Sequence, residues 1–235
     1  MTQPAYAEGW RPEAVLWDMD GTLVDTEPYW IREENRLVES FGGQWSDQLA
    51  LLCVGSPLVV SAQVIRDNSP VTLSVDEIVE QLLTGVSAAM REHVPWRPGA
   101  RELLQSCVAA GMPNALVTMS YDSFASVMID ALPEQTFAAV VTGDLVRQGK
   151  PHPEPYLTAA EALAVQPQDC VAIEDSVPGV HSARAAGVPT IAVPHVVSLP
   201  QLSGVLQVDS LAGLTADDLG FLARKAMATV GDSVS

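Results

Sequence analysis

Three short apolar runs in this 235-residue chain each stop on a polar residue, and that repeated punctuation constrains the fold more than any single motif. Ala14-Val15-Leu16-Trp17 stops at Asp18, Ala115-Leu116-Val117 stops at Thr118, and Val171-Ala172-Ile173 stops at Glu174-Asp175. From Arg97-Pro98-Gly99 onward, strand and helix signals alternate. A helix over 99–110 is closed by Gly111 and followed by a strand over 114–118. A helix near 121–132, a strand near 137–142 and a helix near 154–164 come next. A strand over 170–174, a helix near 178–186 closed by Gly187 and a strand over 189–193 complete the series. This rhythm predicts an α/β fold with a parallel sheet and short connections. Ligands of open α/β sheets sit at the carboxyl ends of the strands. Asp18, Thr118 and Glu174-Asp175 all fall at such ends.

The rhythm stops between Glu27 and Trp96, where the chain reads as helical. One helix is predicted over Glu27–Phe41, with Gly42-Gly43 as its stop. A second is predicted over Ser74–His93. Ser74 can cap it, Glu77 lies three residues on, and Ile78, Leu82, Val86 and Met90 recur every four residues. The expected organisation is an α/β core from residues 1–26 and 97–235, interrupted by a helical insert over 27–96.

Asp18 and Asp20 stand two residues apart at the end of the first strand, and a Gly21-Thr22 turn follows. Carboxylates this close repel, so a cation or a shared proton must hold them together. The pair suits a nucleophile with an acid/base partner, or a metal site. An acidic turn that merely caps the next helix also fits, since Asp and Gly are ordinary turn residues.

The formal charge of −17 disfavours nucleic acid and anionic membrane surfaces as partners. Any anionic ligand would need local positive charge at its site, and Lys150 and Lys225 are the only lysines. Cys53, Cys107 and Cys170 are odd in number and lie in apolar or helical contexts. They read as reduced core thiols of a cytoplasmic protein. The polar stretch Met1 to Glu13 has no apolar core of a signal peptide, no run approaches membrane-spanning length, and Val230 to Ser235 reads as a frayed tail. His93, His152, His181 and His195 have no partner spacing that suggests catalysis.

Taken in order, Asp18-Met19-Asp20-Gly21-Thr22, Thr118, Lys150 in Gly149-Lys150-Pro151, and Glu174-Asp175 resemble the four motifs of the haloacid dehalogenase superfamily of phosphoryl-transfer hydrolases. The helical insert is similar to the small cap domain of its phosphoglycolate-phosphatase and β-phosphoglucomutase branch. The resemblance implies a Rossmann-like core with an inserted cap, and it implies a role for each motif residue. Asp18 would be the nucleophile that forms an aspartyl-phosphate, and Asp20 the general acid and then the general base. Asp18, Asp175 and the Asp20 carbonyl would bind Mg²⁺, an all-oxygen set that suits this cation. Thr118, Lys150 and the backbone N–H groups of Met19, Asp20 and Met119 would hold the phosphate. Glu174 would act one step back, orienting the metal's water or Lys150.

Departures from the family narrow the expectation. Asp20 argues against a true dehalogenase, and the absence of lysine from residues 27–96 excludes Schiff-base chemistry by the insert. Trp30, the uncharged stretch Val54 to Leu58, and Tyr121 stand where β-phosphoglucomutase has a histidine, an arginine and a lysine. Trp17 stands where the family usually has phenylalanine. The favoured expectation is a phosphatase for a small phosphorylated metabolite, such as a sugar phosphate monoester. A sugar phosphomutase is the alternative, and a catalytically silent binding protein a third reading. The oligomeric state and the substrate itself are left open by the sequence.

Overall fold

The run Ala14–Trp17 is buried along its whole length, and it becomes an interior strand of the sheet. The computed structural model describes residues 9–54, 56–195 and 198–228. Its strands are β1 (Ala14–Trp17), β2 (Asn114–Val117), β3 (Ala139–Val141), β4 (Cys170–Glu174), β5 (Thr190–Ala192) and β6 (Val205–Gln207). They form one parallel sheet in the order β3-β2-β1-β4-β5-β6. The helices are α1 (Glu27–Ser40), α2 (Asp47–Cys53), α3 (Leu58–Asn68), α4 (Val75–Glu92), α5 (Ala100–Ala109), α6 (Asp122–Ile129), α7 (Glu154–Ala162), α8 (Val177–Ala185) and α9 (Ala216–Ala228). The chain divides into two compact units after Asp25 and after Pro95.

In the α/β unit the strand register decides what can meet at the sheet's edge. Trp17 lies opposite Leu116 of β2 and Ile173 of β4. One residue further on, Asp18, Val117 and Glu174 therefore share a level across three adjacent strands. The pleat sends alternate residues to opposite faces. Ala14 and Leu16 of β1, Ala115 and Val117 of β2, and Cys170 and Ala172 of β4 join one cluster with Tyr156, Ala159 and Ala160 of α7 and Ala183 of α8. The intervening residues Val15, Trp17, Leu116, Val171 and Ile173 are equally buried. Burial on both faces explains why these strands read as unbroken apolar runs. Trp17 is accommodated because its indole N–H donates to Asn114 Oδ1 at 2.8 Å, so the buried ring leaves no donor unpaired.

Two elements near the C-terminus were not foreseen. Strand β6 covers Val205–Gln207, where the apolar run is only two residues long before Gln207 breaks it. Helix α9 is begun by Thr215, whose N–H and O–H both donate to Asp218 Oδ2 at 2.8 Å. It buries Leu219, Ala223 and Ala226. That spacing is helical, but alanines carry a weak apolar signal. Among the described residues, no helix is long and apolar enough to cross a membrane. The expectations for the extreme N-terminus and for the tail beyond Thr229 lie outside the described residues.

The helical unit contains α1 to α4 around a core of Leu37, Val38, Trp45, Ala50, Cys53, Ala62, Ile65, Ile78 and Leu82. The capping box at the start of α4 forms as Ser74-x-x-Glu77 predicts: the Ser74 hydroxyl accepts the Glu77 N–H, and Glu77 accepts the Ser74 N–H. Tyr29 is half-buried and donates its hydroxyl to the His93 carbonyl at 3.0 Å, and Trp30 packs against the helical core. Arg32 and Arg36 flank the buried Glu33, at 3.0 and 3.8 Å.

Glu34 is the unit's unusual residue. It is buried and accepts the Trp45 indole N–H at 3.0 Å. Burial pushes its carboxyl up to about 7, against a smaller opposing effect of the Trp45 hydrogen bond. The folded state therefore binds the proton more tightly than the unfolded chain, and stability declines as pH rises from about 4.5 to about 7. The decline is on the order of 2–3 kcal/mol. Glu34→Gln keeps an acceptor for Trp45 and removes the charge. It should flatten this part of the stability–pH profile and raise the melting temperature at pH 8, as measured by circular dichroism across pH 4–8.

Candidate active site

The shared level of Asp18, Val117 and Glu174 is closed by one side chain, Lys150. Its ammonium donates to Asp18 Oδ1 at 2.7 Å, to the Val117 carbonyl at 2.9 Å and to Glu174 Oε1 at 2.6 Å. Three protons meet three acceptors, so the cation is fully engaged. Burial by itself would lower the lysine's proton affinity. The Asp18 and Glu174 carboxylates more than offset that, holding the ammonium above its ordinary range.

Glu174 is fully buried and is engaged on both oxygens. Oε1 accepts from Lys150 and from the Tyr156 hydroxyl at 2.8 Å. Oε2 accepts from the Asp175 N–H, the Ser176 N–H and the Ser176 hydroxyl at 3.1–3.2 Å. Gly179, in the first turn of α8, leaves the room this carboxylate needs, because a Cβ there would overlap the Glu174 carboxylate.

Asp18 differs from Glu174 in one respect. Oδ1 is held by Lys150, while Oδ2 is buried with no hydrogen-bond partner. Asp175 lies on the other side, its Oδ1 accepting the Thr22 hydroxyl at 3.2 Å. Gly21 has φ +87° and meets Asp175 where a Cβ would collide, so this turn needs glycine for conformation and for space. Oxygens of Asp18, Glu174 and Asp175 all lie within 4.8 Å of one another. When all three carboxylates ionise, the one ammonium paired with them leaves an excess of negative charge. Burial and the neighbouring Glu174 push the Asp18 carboxyl well up. The same two causes push Asp175 up to about 7, against the lowering effects of Lys150, Thr22 and Arg97. A divalent cation would cancel this excess. Since Glu174 already receives five donors, the groups that fit such an ion are the Asp18 and Asp175 carboxylates.

Asp20 turns toward the loop after β2, where Ser120 donates its hydroxyl to Asp20 Oδ2 at 2.7 Å. Thr118 is buried at the end of β2, and its Oγ1 accepts the Ser120 N–H at 3.0 Å. Met119 is partly exposed, and its sulfur accepts the Lys150 N–H at 3.2 Å, tying the loop after β2 to the lysine loop. Met19 is buried, and its carbonyl closes the Gly21-Thr22 turn by accepting from Thr22, Leu23 and Val24. The structure thus gathers Asp18, Thr118, Lys150, Glu174 and Asp175 at one end of the sheet, with Asp20 joined to them through Ser120. Tyr156, Ser120, Thr22 and Ser176 belong to the same network and were not singled out from sequence. A buried tyrosine on an apolar helix face, or a serine in a turn, carries no distinguishing signal there. His195 Nε2 is 3.3 Å from Asp25 Oδ1, and burial, then Arg97, lower its proton affinity.

A parallel sheet that delivers a buried, lysine-anchored aspartate beside further carboxylates defines a class of α/β hydrolases. The chain belongs to the haloacid dehalogenase-like hydrolases, whose family model matches residues 15–193, and it is an enzyme of that family. It is 33% identical to hexitol phosphatase B of Escherichia coli (strain K12), covering 88% of this chain and 96% of that protein. It is 35% identical to the bifunctional riboflavin kinase/FMN phosphatase of Arabidopsis thaliana over 80% of this chain, but it spans only 49% of that protein's length. Among solved structures, CbbY from Rhodobacter sphaeroides in complex with phosphate matches with a TM-score of 0.74 and 27% identity, over 86% of this chain and 96% of that one. A mutant of the same protein has been solved with xylulose-(1,5)bisphosphate.

The fit around Glu174 can be probed at Gly179. Gly179→Ala should gain helix propensity yet lose stability, by about 1–3 kcal/mol, because the new methyl overlaps a buried carboxylate that has nowhere to move. Urea denaturation compared with wild type measures the sign.

Proposed function

We propose that this chain is a Mg²⁺-dependent phosphoric monoester hydrolase that acts on a small sugar or polyol phosphate through an aspartyl-phosphate intermediate. The observation that carries the reading is Asp18 itself: one carboxylate oxygen is anchored by Lys150 and the other is buried without a partner. In this reading Oδ2 attacks phosphorus, and the bond from phosphorus to the ester oxygen breaks. Asp20 gives its proton to the departing alkoxide. A water then attacks the acyl phosphate, Asp20 takes up the water's proton, and Asp18 and inorganic phosphate are released.

The Thr118 hydroxyl and the N–H groups of Met19, Asp20 and Met119 hold the phosphoryl oxygens, and the Lys150 ammonium, its protons already engaged, offsets their charge from beside Asp18. Glu174 keeps Lys150 in place. Asp18, Asp175 and the Asp20 carbonyl hold Mg²⁺, which when bound neutralises the site's excess negative charge and that of the phosphate. The resemblance to hexitol phosphatase B favours a sugar or polyol phosphate as substrate.

The bisphosphate bound by the CbbY mutant suggests a second class of substrate. The loop after β2 offers the exposed Tyr121 and Asp122, and Asp144 receives the Asp122 N–H at 3.2 Å. Carboxylates here disfavour a second phosphate. The expected outcome of a phosphatase screen with Mg²⁺ is that monophosphates exceed bisphosphates in kcat/KM, and that EDTA abolishes turnover. Asp18→Asn should lose at least ~10³-fold, about 4 kcal/mol of barrier. Efficient isomerisation of a sugar phosphate, primed by a bisphosphate, would instead establish the mutase reading.

The role of Asp20 has its own signature. Asp20→Ala should impair hydrolysis of an alkyl phosphate far more than that of p-nitrophenyl phosphate, whose leaving group needs little protonation. Equal losses of the phosphorylation rate with both substrates would remove Asp20 as the acid.

A further inference from the structure

The geometry points to Tyr156 as a positioning residue for Lys150, acting through the single oxygen of Glu174 that both side chains share. This inference deepens the phosphatase reading and rests on it for its catalytic consequence. Tyr156 lies on α7, six residues after Lys150, and is fully buried. Its hydroxyl donates to Glu174 Oε1 at 2.8 Å, the same oxygen that receives the Lys150 ammonium at 2.6 Å. Its ring lies beside that ammonium, 5.2 Å from centroid to nitrogen. One residue therefore touches both the cation and the anion that holds it.

The physical consequence follows from competition for Lys150. The ammonium is divided between Asp18 Oδ1 and Glu174 Oε1. A hydroxyl donating to Glu174 Oε1 takes up part of that oxygen's accepting power. Without it, Glu174 draws the ammonium more strongly and Asp18 holds it less. Ser176 and two backbone N–H groups fix the other oxygen of Glu174, so the carboxylate cannot turn to compensate. Tyr156 thus sets how Lys150 is shared between its anchor and the reactive aspartate.

Tyr156→Phe isolates the hydroxyl. It keeps the ring and leaves Glu174 four of its five donors, so the fold is retained. Because Lys150 and Lys225 are the only lysines, ¹⁵N-lysine labelling yields at most two side-chain ammonium signals, and Lys225→Arg assigns them. In wild type the Lys150 signal should persist, since all three of its protons are engaged. In Tyr156→Phe it should shift, and its protons should exchange with water about tenfold faster. With p-nitrophenyl phosphate and saturating Mg²⁺, kcat should fall about tenfold while KM stays within about threefold, the size of one charge-assisted hydrogen bond expressed in the barrier.

Asn114→Ala serves as the control for a purely structural effect. It removes a comparably buried hydrogen bond, to Trp17, at the start of β2. It should lower the melting temperature and leave both the Lys150 signal and kcat in place. An unchanged Lys150 signal in Tyr156→Phe overturns the proposal whatever kcat does, and a changed signal with unchanged kcat overturns its catalytic consequence. A wild type that hydrolyses no phosphate monoester overturns the phosphatase reading instead, and the signal still decides the positioning.

Discussion

One buried ammonium facing three buried or half-buried carboxylates is the constraint around which this site is organised. Lys150 satisfies Asp18 and Glu174 directly, and Asp175 stands within reach of both. A buried charge is tolerated only when paired and hydrogen-bonded. The surroundings of Glu174 show how thoroughly that condition is met for the anchor: five donors converge on it, from α7, from β4's own end and from the lysine loop. The condition is left unmet at Asp18 Oδ2. The contrast separates a carboxylate whose oxygens are both occupied from one that keeps an oxygen unpartnered.

The sheet supplies this arrangement through register. Asp18, Val117 and Glu174 are level because Trp17 pairs with Leu116 on one side and Ile173 on the other. Slipping one strand by a residue would turn its buried side chains to the opposite face and carry its polar terminus away from Lys150. The register brings Asp18, the Val117 carbonyl and Glu174 to one level, where Lys150 meets all three. Glycines then allow close approach at two points, Gly21 beside Asp175 and Gly179 beside Glu174.

The helical unit is held by a different logic. Its core is a conventional apolar cluster, but it also buries Glu33 and Glu34. Glu33 is matched by Arg32 at 3.0 Å, whereas Glu34 has the neutral Trp45 indole as a partner. Burial pushes the Glu34 carboxyl up to about 7, and the neutral indole donor offsets only part of that. Cys53 in the same core, like Cys107 and Cys170 in the α/β unit, is buried and free, and burial pushes all three thiols up to about 12.

Much of the fold was legible in the chain itself. Fully apolar runs ending in Asp18, Thr118 and Glu174 marked parallel strands and their carboxyl ends, because only strands buried on both faces omit the polar alternate. Ser74 and Glu77 marked the start of α4 through local hydrogen bonds, which need no tertiary information. Strand β6 and helix α9 are not marked in the sequence, because the apolar run of β6 is broken at Gln207 and alanines carry little contrast. At the site, the sequence determined which groups with strong chemistry exist and that they lie at strand ends. It left open which oxygen of Asp18 is free, that Glu174 is occupied on both sides, and that Tyr156 and Ser120 join the network. Those facts are decided by three-dimensional packing. A hydroxyl chooses its acceptor by distance and direction between residues 18 to 100 positions apart, and no local pattern encodes that choice.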